Sequence, residues 1–234
     1  MIMIQLKDLT KIYGRQTVLN IPDLVIKRGD SFGLVGNNGA GKTTMFRCIL
    51  DLIRPNTGNV LSNEKDVSKN EDWKLYTGSY LDDGFLIDFL TPEEYFRFIA
   101  DIYRMKDGDL SAFYSEFEDF FNNEILGKRK LIRDLSSGNR QKIGIAAALM
   151  QKPEILVLDE PFNSLDPTTQ IRLKNILKNL KKDKKVTILI SSHDLNHITE
   201  VCDRIVVLQE GNIVHDLATN EDTLKVLETY FAVR

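Results

Sequence analysis

The chain has 234 residues, 42% of them hydrophobic and 28% charged, which suits a folded domain with a large apolar core and excludes a disordered or fibrous chain. The formal net charge of −3 argues against a nucleic-acid binder, which is usually basic. No apolar run approaches the roughly 20 residues of a bilayer span, so a soluble, cytoplasmic protein is expected, with any membrane part supplied by another chain.

In chain order, Met1 to Leu9 alternates apolar and polar residues and predicts a strand. Tyr13-Gly14 marks a turn. Val18 to Ile21 and Asp23 to Ile26 predict two short strands separated by Pro22 and ended by Arg28-Gly29-Asp30. Ser31 to Val35 is a short apolar run of strand length, and Met45 to Leu50 reads as the start of a helix. Between them lies Gly36-Asn37-Asn38-Gly39-Ala40-Gly41-Lys42-Thr43-Thr44, a phosphate-binding loop by its pattern of Gly, four residues, then Gly-Lys-Thr. The glycines let the backbone turn its N–H groups toward phosphate oxygens, and the helix adds the positive end of its dipole. Lys42 is placed to reach the β- and γ-phosphates of a nucleotide, and the Thr43 hydroxyl to bind Mg²⁺.

Cys48, just beyond that loop, and Cys202 lie far apart, and without a signal peptide they read as reduced core thiols. Arg54 to Gly58 breaks the pattern, Asn59 to Leu61 predicts another short strand, and Leu75 to Leu81 a strand leading into the loop Asp82-Asp83-Gly84. Thr91-Pro92-Glu93-Glu94 is a helix start: a capping hydroxyl, Pro at the first helical position and an acid two residues on. Aromatic and apolar residues then follow at helical spacing, and Ser111 to Phe121 predicts a second, Phe-rich helix whose aromatic stripe is core packing. Leu135-Ser136-Ser137-Gly138 opens a third helix running to about Gln151. Its run Ile143 to Met150 reads as a buried helix face.

Ile155 to Leu158 is a continuous apolar run, as expected of a buried parallel strand. A helix over 168–181, a strand over 186–191, a helix over 195–201 and a strand over 204–208 continue the alternation. Gly211-Asn212 predicts a hairpin turn, and Asn220 to Phe231 a terminal helix. The basic run Lys181 to Lys185 reads as a solvated helix end and loop. The expected fold is α/β: a P-loop NTPase core with a mostly parallel sheet, an N-terminal antiparallel β subdomain and an inserted helical subdomain. The expected boundaries are 1–84 and 152–218 for the core, 85–151 for the helical insertion and 219–234 for a C-terminal helix.

Asp159-Glu160 follows the buried strand, and strand ends are where open α/β sheets place ligands. Asp159 is placed to hold Mg²⁺ and Glu160 to act as general base on an attacking water. Some twenty residues earlier, Leu135-Ser136-Ser137-Gly138-Asn139 resembles the Leu-Ser-Gly-Gly-Gln signature of the ATP-binding-cassette (ABC) ATPases. The resemblance covers nearly the whole chain. It implies that Ser136, Ser137, Gly138 and Asn139 close over the γ-phosphate held by a partner's phosphate-binding loop. Two cassettes, identical or paralogous, would then pair head to tail around two Mg-ATP.

By the same resemblance Tyr13 stacks on adenine, Asp166 of Ser164-Leu165-Asp166 lies in the loop that crosses the dimer, and His193 is the switch histidine at the γ-phosphate. Ser137 and Asn139 depart from the family's Gly and Gln. So does the loop after Leu81: Asp82, or Asp83 if the count back from Leu90-Thr91 shifts by one, falls where the family carries a Gln that senses Mg²⁺ and the membrane partner; some peptide-antibiotic exporters carry Glu there. Phe32 to Gly36 and Arg140-Gln141-Lys142 resemble the exporters with a separate permease of the ABC-2 type. The implied function is the ATP-hydrolysing subunit of an exporter, peripheral on the inner face of the cell membrane.

Rival readings are a non-transport ABC ATPase acting on DNA or ribosomes, whose relatives carry long coiled-coil insertions or two cassettes per chain, and a cassette that hydrolyses weakly. His193 and His197 are four apart like a helical metal pair, but Asp194 stands where a zincin has Glu, and no third ligand is evident. His197 and His215 read as surface or packing residues.

Overall fold

The structure, a computed structural model, describes residues 1–182 and 186–232. Among these, the strands form two sheets. The first is antiparallel, in the order β2-β1-β4-β5, from β1 (Ile2–Tyr13), β2 (Gln16–Lys27), β4 (Thr57–Ser62) and β5 (Lys65–Asp66). The second has the order β10-β9-β3-β8-β7-β6, from β3 (Ser31–Val35), β6 (Thr77–Tyr80), β7 (Ile155–Asp159), β8 (Thr187–Ser192), β9 (Arg204–Gln209) and β10 (Asn212–Ala218). It is parallel except where β10 returns beside β9.

All five residues of β7 are buried, and successive ones face opposite ways. Leu156 and Leu158 enter one core with Ile188, Ile190 and Val207; Ile155 and Val157 enter the other with Leu189 and Val206. Being buried on both faces is what makes this strand an unbroken apolar run in the sequence. The second core also takes Met3, Ile4, Leu6 and Leu19 of the antiparallel sheet and Phe46 of α1 (Lys42–Ile49).

Between β6 and β7 lie α2 (Pro92–Ile102), α3 (Asp107–Glu116), α4 (Glu118–Phe121) and α5 (Ser137–Leu149). Thr91 caps α2: its hydroxyl accepts the Glu94 N–H at 3.3 Å, and a Glu94 carboxylate oxygen accepts the Thr91 N–H at 2.8 Å. Phe96, Phe113, Phe117, Phe120 and Phe121 pack their rings together, with Phe96 and Phe113 centroids 5.1 Å apart. The run from Ile143 to Met150 is buried along most of its length. The chain closes with α6 (Pro167–Lys182), α7 (Leu195–Val201) and α8 (Thr223–Ala232).

Several boundaries differ from expectation. The two strands expected around Pro22 are one: β2 is an edge strand of its sheet, where a residue without an N–H is tolerated, and Ile21 and Asp23 both pair with β1. The single helix expected over 111–121 starts earlier and breaks at Phe117, which joins α3 to α4. The hairpin turn falls on Glu210-Gly211, both with positive φ, rather than Gly211-Asn212. The helix expected from Asn220 begins at Thr223, whose hydroxyl accepts the Asn220 N–H at 2.9 Å. Of the basic run, Lys181 pairs with Asp203 at 2.6 Å; residues 183–185 lie outside the described ones, as do 233–234. Cys48 and Cys202 are buried free thiols, and burial pushes them up to about 11 and about 12.

Candidate functional site

The loop from Gly36 to Gly41 joins β3 to α1 across the ends of the parallel strands. A Cβ on Gly36 would lie 2.3 Å from the Leu208 carbonyl oxygen. Gly41 has φ +109°, and a Cβ there would lie 2.8 Å from the Val18 carbonyl oxygen, so only glycine fits this turn. Gly41 offers α1 no side-chain cap, which leaves the helix N-terminus to an anion. Lys42 is 7% exposed; its ammonium donates to the Gly36 carbonyl at 2.7 Å and lies 3.4 Å from Glu160 Oε1. A buried cation held against a carbonyl, beside an uncapped helix start, fits the phosphates of a nucleotide.

The acids arrive from the other side. Asp159 ends β7, in register with Ser191 of β8. The Thr43 hydroxyl donates to Asp159 Oδ2 at 2.5 Å, and the Ser191 hydroxyl donates to Oδ1. Burial holds the Asp159 carboxyl above the ordinary carboxylate range, with the charge of Glu160 adding to it; the two hydroxyls pull the other way.

Glu160 sits just beyond the strand with φ +48°, a conformation that costs ~1–3 kcal/mol outside glycine. Its backbone is pinned: its N–H donates to Ser191 Oγ at 3.0 Å, and its carbonyl accepts from Gln141 Nε2 at 3.2 Å. Its carboxylate lies between Lys42 and His193, whose Nδ1 is 2.9 Å from Oε2. Lys42, Thr43, Asp159, Glu160 and His193 thus form one connected group. Ser191 and Gln141 hold it in place; neither had been given a role in the sequence. Ser191 had a readable signal, near the end of a strand and two residues before His193, whereas Gln141 belongs to another element and had none.

The remaining expected residues stand apart. Ser136 caps α5, its Oγ accepting the Asn139 N–H at 3.2 Å. A Cβ on Gly138 would lie 2.5 Å from the Ser164 carbonyl oxygen, so this helix start rests on the loop that carries Asp166. Asp166 caps α6 by accepting the Thr169 N–H at 3.1 Å and the Thr169 hydroxyl at 2.5 Å, bonds that hold its carboxyl below the usual range. Tyr13 is exposed at the end of β1, with the Lys11 ammonium 5.1 Å from its ring centre. Asp82 accepts the Gly84 N–H at 2.8 Å and lies 3.5 Å from the Arg47 guanidinium. Among the described residues, no hydrogen bond or ion pair joins any of these to the Lys42–Glu160 group. His197 packs its ring on Phe162 at 4.4 Å, and His215 packs on Tyr230 at 4.9 Å.

Residues 19–163 match the family model described as "ABC transporter". The chain is 36% identical over 225 residues to the bacitracin transport ATP-binding protein BcrA of Enterococcus faecalis, covering 94% of this chain and 70% of that one. It is 31% identical over 252 residues to the methionine import ATP-binding protein MetN 1 of Bacillus anthracis, covering 99% and 72%. Its fold superposes with a TM-score of 0.81 and 26% identity on a dimeric, post-hydrolysis state of the ATP-binding cassette MJ0796 bound to ADP and Pi, covering 93% of this chain and 99% of that one. With its phosphate loop, strand-end acids and capped signature helix on one scaffold, the chain belongs to the ABC transporter family, as one of its ATP-binding, ATP-hydrolysing cassettes.

Proposed function

We propose that this cassette pairs head to tail with a second one, a copy or a paralogue, around two Mg-ATP and so drives a separate membrane permease at the inner face of the membrane. The observation that carries the reading is the Lys42–Thr43–Asp159–Glu160–His193 group, assembled from three different segments at one end of the parallel sheet. Bound Mg-ATP supplies the phosphoanhydride bond to be cleaved and a divalent charge beside it. Gly36 to Thr44 hold the triphosphate, Lys42 faces its β- and γ-oxygens, and Tyr13 stacks on the base. The Thr43 hydroxyl and Asp159 carboxylate present hard oxygen donors of the kind Mg²⁺ takes, 2.5 Å apart. Asp82 faces the same ion or the permease.

Glu160 takes the proton of the attacking water, and His193 fixes the carboxylate that takes it. Ser136, Ser137, Gly138 and Asn139, with Asp166 beside them, serve the partner's nucleotide. The working unit is one cassette: a core (1–84 and 152–218), a helical insertion (85–151) that carries the signature, and a terminal helix. The dimeric cassette bound to ADP and Pi supports the pairing.

We read the direction as export. The acid at position 82 and the ABC-2-like segments support this reading. In inside-out vesicles carrying this chain and its permease, bacitracin is the first substrate to try, and accumulation on adding ATP is expected. For hydrolysis, Glu160→Gln is expected to lower kcat by a factor of about 10² or more while ATP binding persists. An unchanged rate removes Glu160 from the role of base.

A further inference from the structure

Two acids follow β6, and they point to different elements. Asp82 turns toward Arg47 of α1. Asp83 turns toward the signature helix. The Tyr80 hydroxyl donates to Asp83 Oδ1 at 2.5 Å, and Arg140 Nε donates to Asp83 Oδ2 at 2.8 Å. The same guanidinium donates through Nη1 to the Leu135 carbonyl at 2.7 Å. Leu135 directly precedes Ser136, the cap of α5. One turn further along α5, Gly144 lies on the face of Tyr80: a Cβ there would be 2.2 Å from the ring.

Both oxygens of Asp83 are engaged, and the Arg140 fork spends one N–H on the acid and another on the carbonyl. Charge-assisted bonds of this kind are stronger and more directional than neutral ones. The Asp83 and Arg140 side chains are 34% and 28% exposed, so solvent screens them less than an open surface pair. Among the described residues, no side-chain hydrogen bond or ion pair joins Asp83, Leu135 or Arg140 to Lys42, Thr43, Asp159, Glu160 or His193.

We propose that Asp83 and Arg140 form a clasp that fixes Leu135–Gly138 in the orientation the partner cassette's nucleotide requires, and that they are positioning residues for closure of the pair. The proposal rests on the head-to-tail pairing. A single cassette binds ATP without the clasp and closes on a partner only with it. The loop after β6, the stretch that senses the membrane partner in the family, is thereby tied to the signature through two side chains.

The test uses the full chain with Glu160→Gln as the parent, so that bound ATP persists. Calorimetry gives ATP affinity without Mg²⁺, and sedimentation gives the dimerisation constant with saturating Mg-ATP. Adding Asp83→Asn or Arg140→Gln is expected to leave ATP affinity within about twofold of the parent and to weaken dimerisation about tenfold or more. Arg140→Lys, which keeps the charge but not the fork, is expected to fall between them. Dimerisation equal to the parent's overturns the clasp while leaving the pairing intact. A matching loss of ATP affinity overturns it too, because the damage then reaches the phosphate loop. A parent that stays monomeric with Mg-ATP overturns pairing between copies of this chain, and the clasp as a device for that pairing with it.

Discussion

Glu160 is held by its backbone as much as by its side chain. Its left-handed φ, the Ser191 hydroxyl on its N–H and Gln141 on its carbonyl together aim the carboxylate between Lys42 and His193. Gly41 does the corresponding work for the phosphate loop. A side chain there meets the Val18 carbonyl at 2.8 Å and a Leu19 methyl at 2.9 Å, in a conformation L residues rarely adopt. Gly41→Ala is therefore expected to lower stability by about 1–3 kcal/mol and to weaken ATP binding, read by chemical denaturation and calorimetry on the same variant. Wild-type stability with wild-type affinity would show that the loop relaxes around the methyl group.

Helical packing and charge decide how the insertion is attached to the core. Phe96 of α2 is fully buried against Phe113, Phe121 and Tyr114. Phe96→Ala is expected to cost about 3–5 kcal/mol in urea denaturation, because the cavity lies between helices that share no sheet to brace them. On α5, the Lys142 side chain is 2% exposed and its ammonium donates to Glu124 at 2.8 Å. That bond holds the Glu124 carboxyl below its ordinary range. The folded value lies below the unfolded one, so the pair's stabilisation is present above the unfolded value and is lost as pH falls through the folded one. Glu124→Gln is expected to cost about 1–2 kcal/mol at pH 7, a figure reduced for the half-exposed acid, with the gap to wild type closing in acid. A gap that does not vary with pH assigns the loss to packing.

The elements themselves were largely legible. Buried strands such as β7 read as unbroken apolar runs, and the Thr91 capping box is a local pattern. What escaped the sequence was set by distant partners. Pro22 suggested a break, yet its strand is an edge, and only the sheet order reveals that. Gly36 to Thr44 and Asp159-Glu160 could be picked out in the sequence because each is a run of adjacent residues, and the structure brings the two runs together. Gln141 and the Asp83–Arg140 contact span segments far apart in sequence, so no spacing betrays them.

At the scale of the whole molecule, the expected site residues fall into two groups. Phosphate loop and acids gather at one end of the parallel sheet, while Ser136 to Asn139 and Asp166 make no hydrogen bond or ion pair with them among the described residues. Under the proposed head-to-tail pairing, a second chain brings its Ser136 to Asn139 and Asp166 to this chain's phosphate loop. That pairing is tested most directly by sedimentation of Glu160→Gln with and without Mg-ATP. The expected result is a monomer without nucleotide and, with it, a dimer holding two ATP, one per phosphate loop. A chain that binds ATP and remains a monomer at every protein concentration tested would contradict head-to-tail pairing between copies of this chain.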